Sequence, residues 1–215
     1  MNKLLFAGTA LLLVVAFAVA VLVERGGPAP APSDRPSAGA DPSLLVRPGA
    51  PALGPAGAKV TLVEFLDPAC ETCAVFYPEV KKMLAANPDR LRLVVRHVPF
   101  HDGSEAVVRM LEAARLQDKY WQALEALFAA QDKWVTNHRV QADAAFPLLA
   151  LAGIDVERLK VDAQREDVRA RVAQDLADAK ALRVTKTPEY FVNGRPLPSF
   201  GLEQLRALVA DALRN

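Results

Sequence analysis

The stretch DPACETCAVFYP, from Asp67 to Pro78, places the chain's only two cysteines, Cys70 and Cys73, three positions apart. Thiols at that spacing have three uses. A structural zinc site needs four ligands, yet no second cysteine pair is present and the histidines (His97, His101 and His138) lack ligand spacing. A purely structural disulfide would close too small a loop to stabilise much. A redox-active pair needs one thiol of lowered pKa and a second able to resolve a mixed disulfide, and a helix N-terminus supplies the first condition.

The flanking pattern predicts that helix terminus. KVTLVEFLD, ending at Asp67, is β-branched and apolar and reads as a buried strand. After it, Cys73, Phe76, Tyr77, Val80 and Leu84 recur at three- and four-residue steps, which predicts a helix with Cys70 at its cap and Cys73 one turn in. Pro78 falls inside that helix and is expected to kink it. A second strand follows over Leu91 to Phe100. Helical periodicity then covers Glu105 to Gln117, Lys119 to Gln131, Asp143 to Ala152, Val156 to Ala163 and Asp167 to Leu182. EYFVNGRPL, Glu189 to Leu197, reads as a strand entering a tight Asn193-Gly194 turn, and Leu202 to Leu213 closes the chain as an amphipathic helix. This order favours an α/β domain: one central sheet with a helical subdomain inserted at about residues 103–182.

Two further positions bear on the thiols. Glu64 lies six residues before Cys70 on an otherwise apolar strand, either as an edge-strand surface carboxylate or as a buried one with raised pKa that exchanges a proton with Cys73. Its neighbours Val63, Phe65 and Leu66 favour burial. Thr187-Pro188 precedes a strand, where proline is tolerated at the first residue; a cis bond there would bring backbone close to the cysteines.

Glu64 ahead of a CxxC, the cysteines at a helix start, a proline five after Cys73, an inserted helical region and TPEYFVNG near the end together resemble the DsbA-type thioredoxin-fold oxidoreductases, over about Val60 to Asn215. The resemblance implies a nucleophilic thiol at Cys70, a resolving thiol at Cys73, a cis-proline at Pro188 facing them and a proton-relay role for Glu64. KYWQALEALF also resembles the family's inserted helices, with Trp121 and Phe128 as core. Two departures stand out. The strongest oxidases of the family carry CPHC, whereas Glu71 and Thr72 lie between the cysteines here, and Glu71 sets a negative charge beside the Cys70 thiolate. Thr187 is similar to the isomerase and reductase branches, where the oxidase has valine.

The amino-terminal portion concerns location. Leu4 to Val23 is an apolar or small-residue run of 20 residues, long enough as a helix to cross about 30 Å of hydrocarbon. Its length favours a retained signal anchor (residues 1–24) over a cleaved signal peptide ending near Ala18-Val19-Ala20. Lys3 would stay inside and Glu24 onward would be exported. Residues 25–57 hold eight of the 16 prolines and are expected to form a semi-extended spacer, with Leu44, Leu45 and Val46 as its one apolar cluster. The exported domain is then 58–215. A formal charge of +1 without a basic block gives no reason to propose nucleic acid.

The sequence thus points to an inner-membrane-anchored periplasmic or extracytoplasmic thiol–disulfide oxidoreductase. It needs no cofactor beyond its own Cys70-Cys73 disulfide, and its expected partners are exported cysteine-containing proteins and a membrane redox partner. The competing reading is a membrane-anchored thioredoxin-fold copper carrier that uses both thiolates with His101, because soft thiolates suit Cu(I). Its weakness is the absence of a methionine- or histidine-rich loop.

Overall fold

The computed structural model describes residues 39–215. The anchor at 1–24 and the first part of the spacer lie outside the described residues. Among those described, no helix is long and apolar enough to cross a membrane.

The centre is a parallel pair, β2 (Val60–Leu66) and β3 (Leu91–His97), joined by helix α2 (Glu71–Ala86). Both strands are β-branched and buried along nearly their whole length, as a strand covered on both faces must be. Beyond β2 lies β6 (Glu189–Val192), antiparallel, in a register that sets Tyr190 opposite Glu64. β7 (Arg195–Pro196) pairs with β6 across the Asn193-Gly194 turn, whose residues have φ of 46° and 81°. That is the type I′ geometry which the Asn-Gly pair predicts.

Alternation along β2 splits the core in two. Leu62 and Leu66 face a large cluster with Cys70, Cys73, Leu111, Leu124, Trp134 and Tyr190. Val63 and Phe65 face a smaller one with Leu45, Val94, Val184 and Phe191. The inserted subdomain between β3 and β6 comprises α3 (Ser104–Arg115), α4 (Tyr120–Ala129), α5 (Ala145–Leu151), α6 (Val156–Asp162) and α7 (Glu166–Ala181), with a short hairpin of β4 (Val135–Thr136) and β5 (Arg139–Val140). Trp121 and Phe128, expected as core, are half-buried and pack against the outside of the larger cluster. The carboxy-terminal helix α8 (Leu202–Arg214) buries Leu205, Leu208 and Val209.

Pro78 lies inside α2, as expected, and the helix continues past it to Ala86; with no N–H, Pro78 cannot bond the Ala74 carbonyl. Two expectations need correction. The second strand ends at His97, because Phe100 and His101 turn their amides onto Asp67 instead of onto a neighbouring strand. The spacer's second half, residues 39–57, belongs to the domain. There α1 (Pro42–Leu45) buries Leu45, and β1 (Ala52–Leu53) adds to the sheet edge antiparallel to β3. The proline-rich composition hid this, since few apolar residues do the docking and charge does the rest.

That charge is a buried ion network. Arg96, fully buried on β3, bonds Asp175 (2.8 Å) and Asp178 (2.6 Å) on α7 and the Leu44 and Leu45 carbonyls of the strap. Arg47 of the strap grips the same Asp178 through two bonds of 2.8 and 2.7 Å. With Arg47 and Arg96 against it, the Asp178 carboxyl is held down at about 2. Removing one partner of such a network leaves a buried charge unmatched. Asp178→Ala should therefore lose about 3–5 kcal/mol in urea unfolding, whereas a loss below about 1 kcal/mol would show that the strap is not held by this network.

Candidate active site

The site is built where β2 ends. Asp67, fully buried, caps the turn by accepting the Ala69 amide at 2.9 Å. It also accepts the Phe100 and His101 amides (2.8 and 2.9 Å), meets His101 Nδ1 at 2.8 Å and takes the Ser104 hydroxyl. Gln131 holds the Pro68 carbonyl from the inserted subdomain at 2.8 Å. So fixed, the chain turns into α2 with Cys70 as its N-cap, the position at which a side chain can accept the helix's free amides.

Cys70 Sγ accepts the Cys73 amide at 3.4 Å and faces the Thr187 carbonyl at 3.4 Å. Both cysteines are thiols in this structure, Cys70 almost buried and Cys73 completely so. Hydrogen bonding from Cys73, then from Thr187 and the Cys73 and Thr72 amides, outweighs desolvation and brings Cys70 down to about 6. Cys73 moves the other way: burial raises it well above the ordinary thiol value, and Cys70 and Glu64 add to the rise. The two thiols are thus split into a thiolate and a protonated partner, the asymmetry that exchange chemistry requires.

Beneath them lies Glu64, fully buried, with Oε1 accepting the Tyr190 hydroxyl at 3.1 Å and Oε2 without a hydrogen-bond partner. Burial raises its carboxyl to about 8; the Tyr190 bond opposes the rise and the Cys70 charge adds to it. Of the two possibilities for Glu64, the structure places the buried one. Thr187-Pro188 is cis, and its carbonyl is the one facing Cys70. Glu71 is exposed, 3.5 Å from His138 Nδ1, and its charge does not keep the Cys70 thiol from falling. Thr72 contributes through its amide.

Sequence reasoning missed Tyr190, Asp67 and Gln131. Tyr190 was within reach, since it lies in the apolar strand just before the Asn193-Gly194 turn and a buried tyrosine hydroxyl needs a polar partner. Nothing in the sequence singles out Asp67 or Gln131, because apart from the Ala69 amide their partners lie more than thirty residues away.

A sheet of this order, with a thiolate cysteine capping a helix, a buried thiol one turn in and a cis-proline against them, defines a thioredoxin-fold thiol–disulfide oxidoreductase. The thioredoxin family model matches residues 47–211, and the chain belongs to that family. Among solved structures, a thioredoxin-like oxidoreductase from Silicibacter pomeroyi is 32% identical, with a TM-score of 0.69 over 80% of this chain and 96% of that one. Oxidised BdbD from Bacillus subtilis is 25% identical, with a TM-score of 0.68 over 78% and 94%. Wolbachia pipientis α-DsbA1, 17% identical with a TM-score of 0.68 over 80% and 94%, shares the fold. A curated relative, the Na(+)/H(+) antiporter NhaA of Herminiimonas arsenicoxydans, is 37% identical over 144 residues, 67% of this chain and 22% of that protein. The chain spans about a fifth of the length of the curated relatives it matches.

Two outcomes follow from these environments. The rate of iodoacetamide labelling of the reduced protein should rise with pH around a midpoint of about 6, at Cys70 alone; a midpoint near 9 would remove the thiolate assignment. Glu64 binds its proton more tightly folded than unfolded, so its neutral form favours the folded state fully below about 4.5, and that contribution is lost as pH rises through about 8. Chemical unfolding across this range should show stability falling more steeply with pH in the wild type than in Glu64→Gln, and parallel curves would contradict the buried acid.

Proposed function

We propose that this chain is an extracytoplasmic oxidoreductase that exchanges disulfides with protein substrates through its CETC motif and is less oxidising than a CPHC oxidase. The observation that carries the reading is the split between the two thiols, with Cys70 at about 6 and Cys73 far above the ordinary value, over a buried acid.

When the pair donates a disulfide, a substrate thiolate attacks Cys70 Sγ, the Cys70-Cys73 bond breaks, and Cys73 leaves as a thiolate. Glu64, largely protonated at neutral pH, is placed to hand its proton to that buried anion. A second substrate thiolate then displaces Cys70, which departs readily because its thiolate is stabilised. In the reverse direction Cys70 attacks a substrate disulfide, and Cys73, after returning its proton to Glu64, resolves the mixed disulfide. The Thr187-Pro188 segment lies against Cys70 and is suited to pair with an extended substrate backbone. Val75 on α2 and Phe200, which stacks on Phe76 at 5.1 Å, expose apolar surface of the kind an unfolded chain would cover.

Glu71 in place of a potentially cationic residue removes one source of thiolate stabilisation, which argues for an intermediate potential. The apolar run of residues 4–23 supports export and anchoring, with exported cysteine-containing proteins and a membrane redox partner as counterparts. No cofactor beyond the Cys70-Cys73 disulfide is required.

Cys73→Ser should accumulate a mixed disulfide with a reporter protein on non-reducing gels, and Cys70→Ser should form none; the reverse pattern would exchange the two roles. Against a glutathione series the full chain should titrate between about −120 and −270 mV. A value at −120 mV would end the claim that CETC is the weaker oxidant.

A further inference from the structure

Glu71, His101 and His138 have no regular spacing in the sequence, yet one donor atom from each lies within 4.8 Å of the others. We propose that these three side chains form a binding site for a divalent first-row cation of borderline softness, with zinc as the reference ion. Two imidazoles and one carboxylate are a donor set that zinc accepts with a fourth position left open.

Three separate segments supply the ligands, and the fold fixes each. Glu71 is the first residue of α2. His101 follows β3, and its Nδ1 is tied to the buried Asp67 carboxylate at 2.8 Å. That bond engages Nδ1 and leaves Nε2 as the nitrogen available to a metal, the carboxylate–histidine pairing that orients metal-bound imidazoles. His138 sits in the two-residue turn between β4 and β5, where Asn137 and His138 have φ of 51° and 59°. Glycine is the residue such a turn favours, and histidine holds it instead.

The hairpin is locked over His101. The Val140 amide bonds the Asp102 carbonyl at 3.0 Å, Arg139 pairs with the Asp102 carboxylate at 2.9 Å, and the close approach rests on Gly103. A Cβ at Gly103 would stand 3.3 Å from Val140, and its φ of +82° suits glycine. The result is two imidazole rings stacked with centroids 6.3 Å apart, and His138 Nδ1 3.5 Å from Glu71 Oε1. Donor atoms around a tetrahedral zinc stand roughly 3.4 Å apart. Closing from 4.8 Å is within the reach of side-chain rotation at Glu71 and His138, both of which are exposed.

This site uses neither thiol, so it stands or falls apart from the oxidoreductase reading. It also differs from a copper carrier built on both thiolates. The test is zinc titration of the purified full chain carrying Cys70→Ser and Cys73→Ser, followed by calorimetry and by the visible spectrum of the cobalt-substituted protein. The expected result is one ion per chain at micromolar affinity or tighter, with His138→Ala and Glu71→Ala each weakening it at least about tenfold. Both positions are exposed, so circular dichroism of these variants should match the parent. Binding that vanishes with the cysteines, binding indifferent to His138→Ala, or no binding at all would each overturn the proposal.

Discussion

One buried carboxylate joins the parts that the chemistry needs. Asp67 ends β2 and takes hydrogen bonds from its own turn and from the segment that follows β3. A carboxylate away from water is costly unless its lone pairs are met, and here amides, a hydroxyl and an imidazole meet them. The price of breaking any one of those bonds keeps two loops from adjacent strands in fixed relation. The first delivers Cys70 to the helix cap, and the second delivers His101 to the same rim.

One acid and one phenol interrupt an otherwise apolar interior around the thiols. Glu64 and Tyr190 face each other across the β2–β6 ladder, and their shared face also holds Cys73. Because β2 alternates, a shift of one residue in that ladder would turn Glu64 toward the Phe65 side and leave Cys73 without an acid. The Asn193-Gly194 turn and the Asn193 side chain, which accepts the Thr61 amide at 2.8 Å, hold the register. A surface turn thus governs a proton site in the core.

The sequence made legible whatever local chemistry encodes. The CxxC at a helix start, the Asn-Gly turn and the apolar context of Glu64 each follow from residues within a few positions, and the helical insertion follows from periodicity. What it concealed depends on distance along the chain. Asp67 looks like a loop aspartate until its partners beyond β3 are known. Arg96 looks like a break in a strand until α7 brings Asp175 and Asp178 to it. The strap of residues 39–57 reads as spacer because its docking rests on one leucine, a two-residue strand and ion pairs instead of a hydrophobic run. His101 and His138 look unrelated because a tight hairpin, anchored on Asp102, folds one back over the other.

The strap also docks on the side of the sheet away from the thiols. The Ala40 amide bonds the Gly194 carbonyl, and Leu45 packs on the Phe65 face of the sheet, away from the face that holds Cys73. Those contacts and the two-pronged grip of Arg47 on Asp178 hold the strap in place. The strap's anchorage and the thiols thus occupy opposite faces of one sheet, so the segment that closes the sheet edge takes no part in shaping the pocket around Cys73.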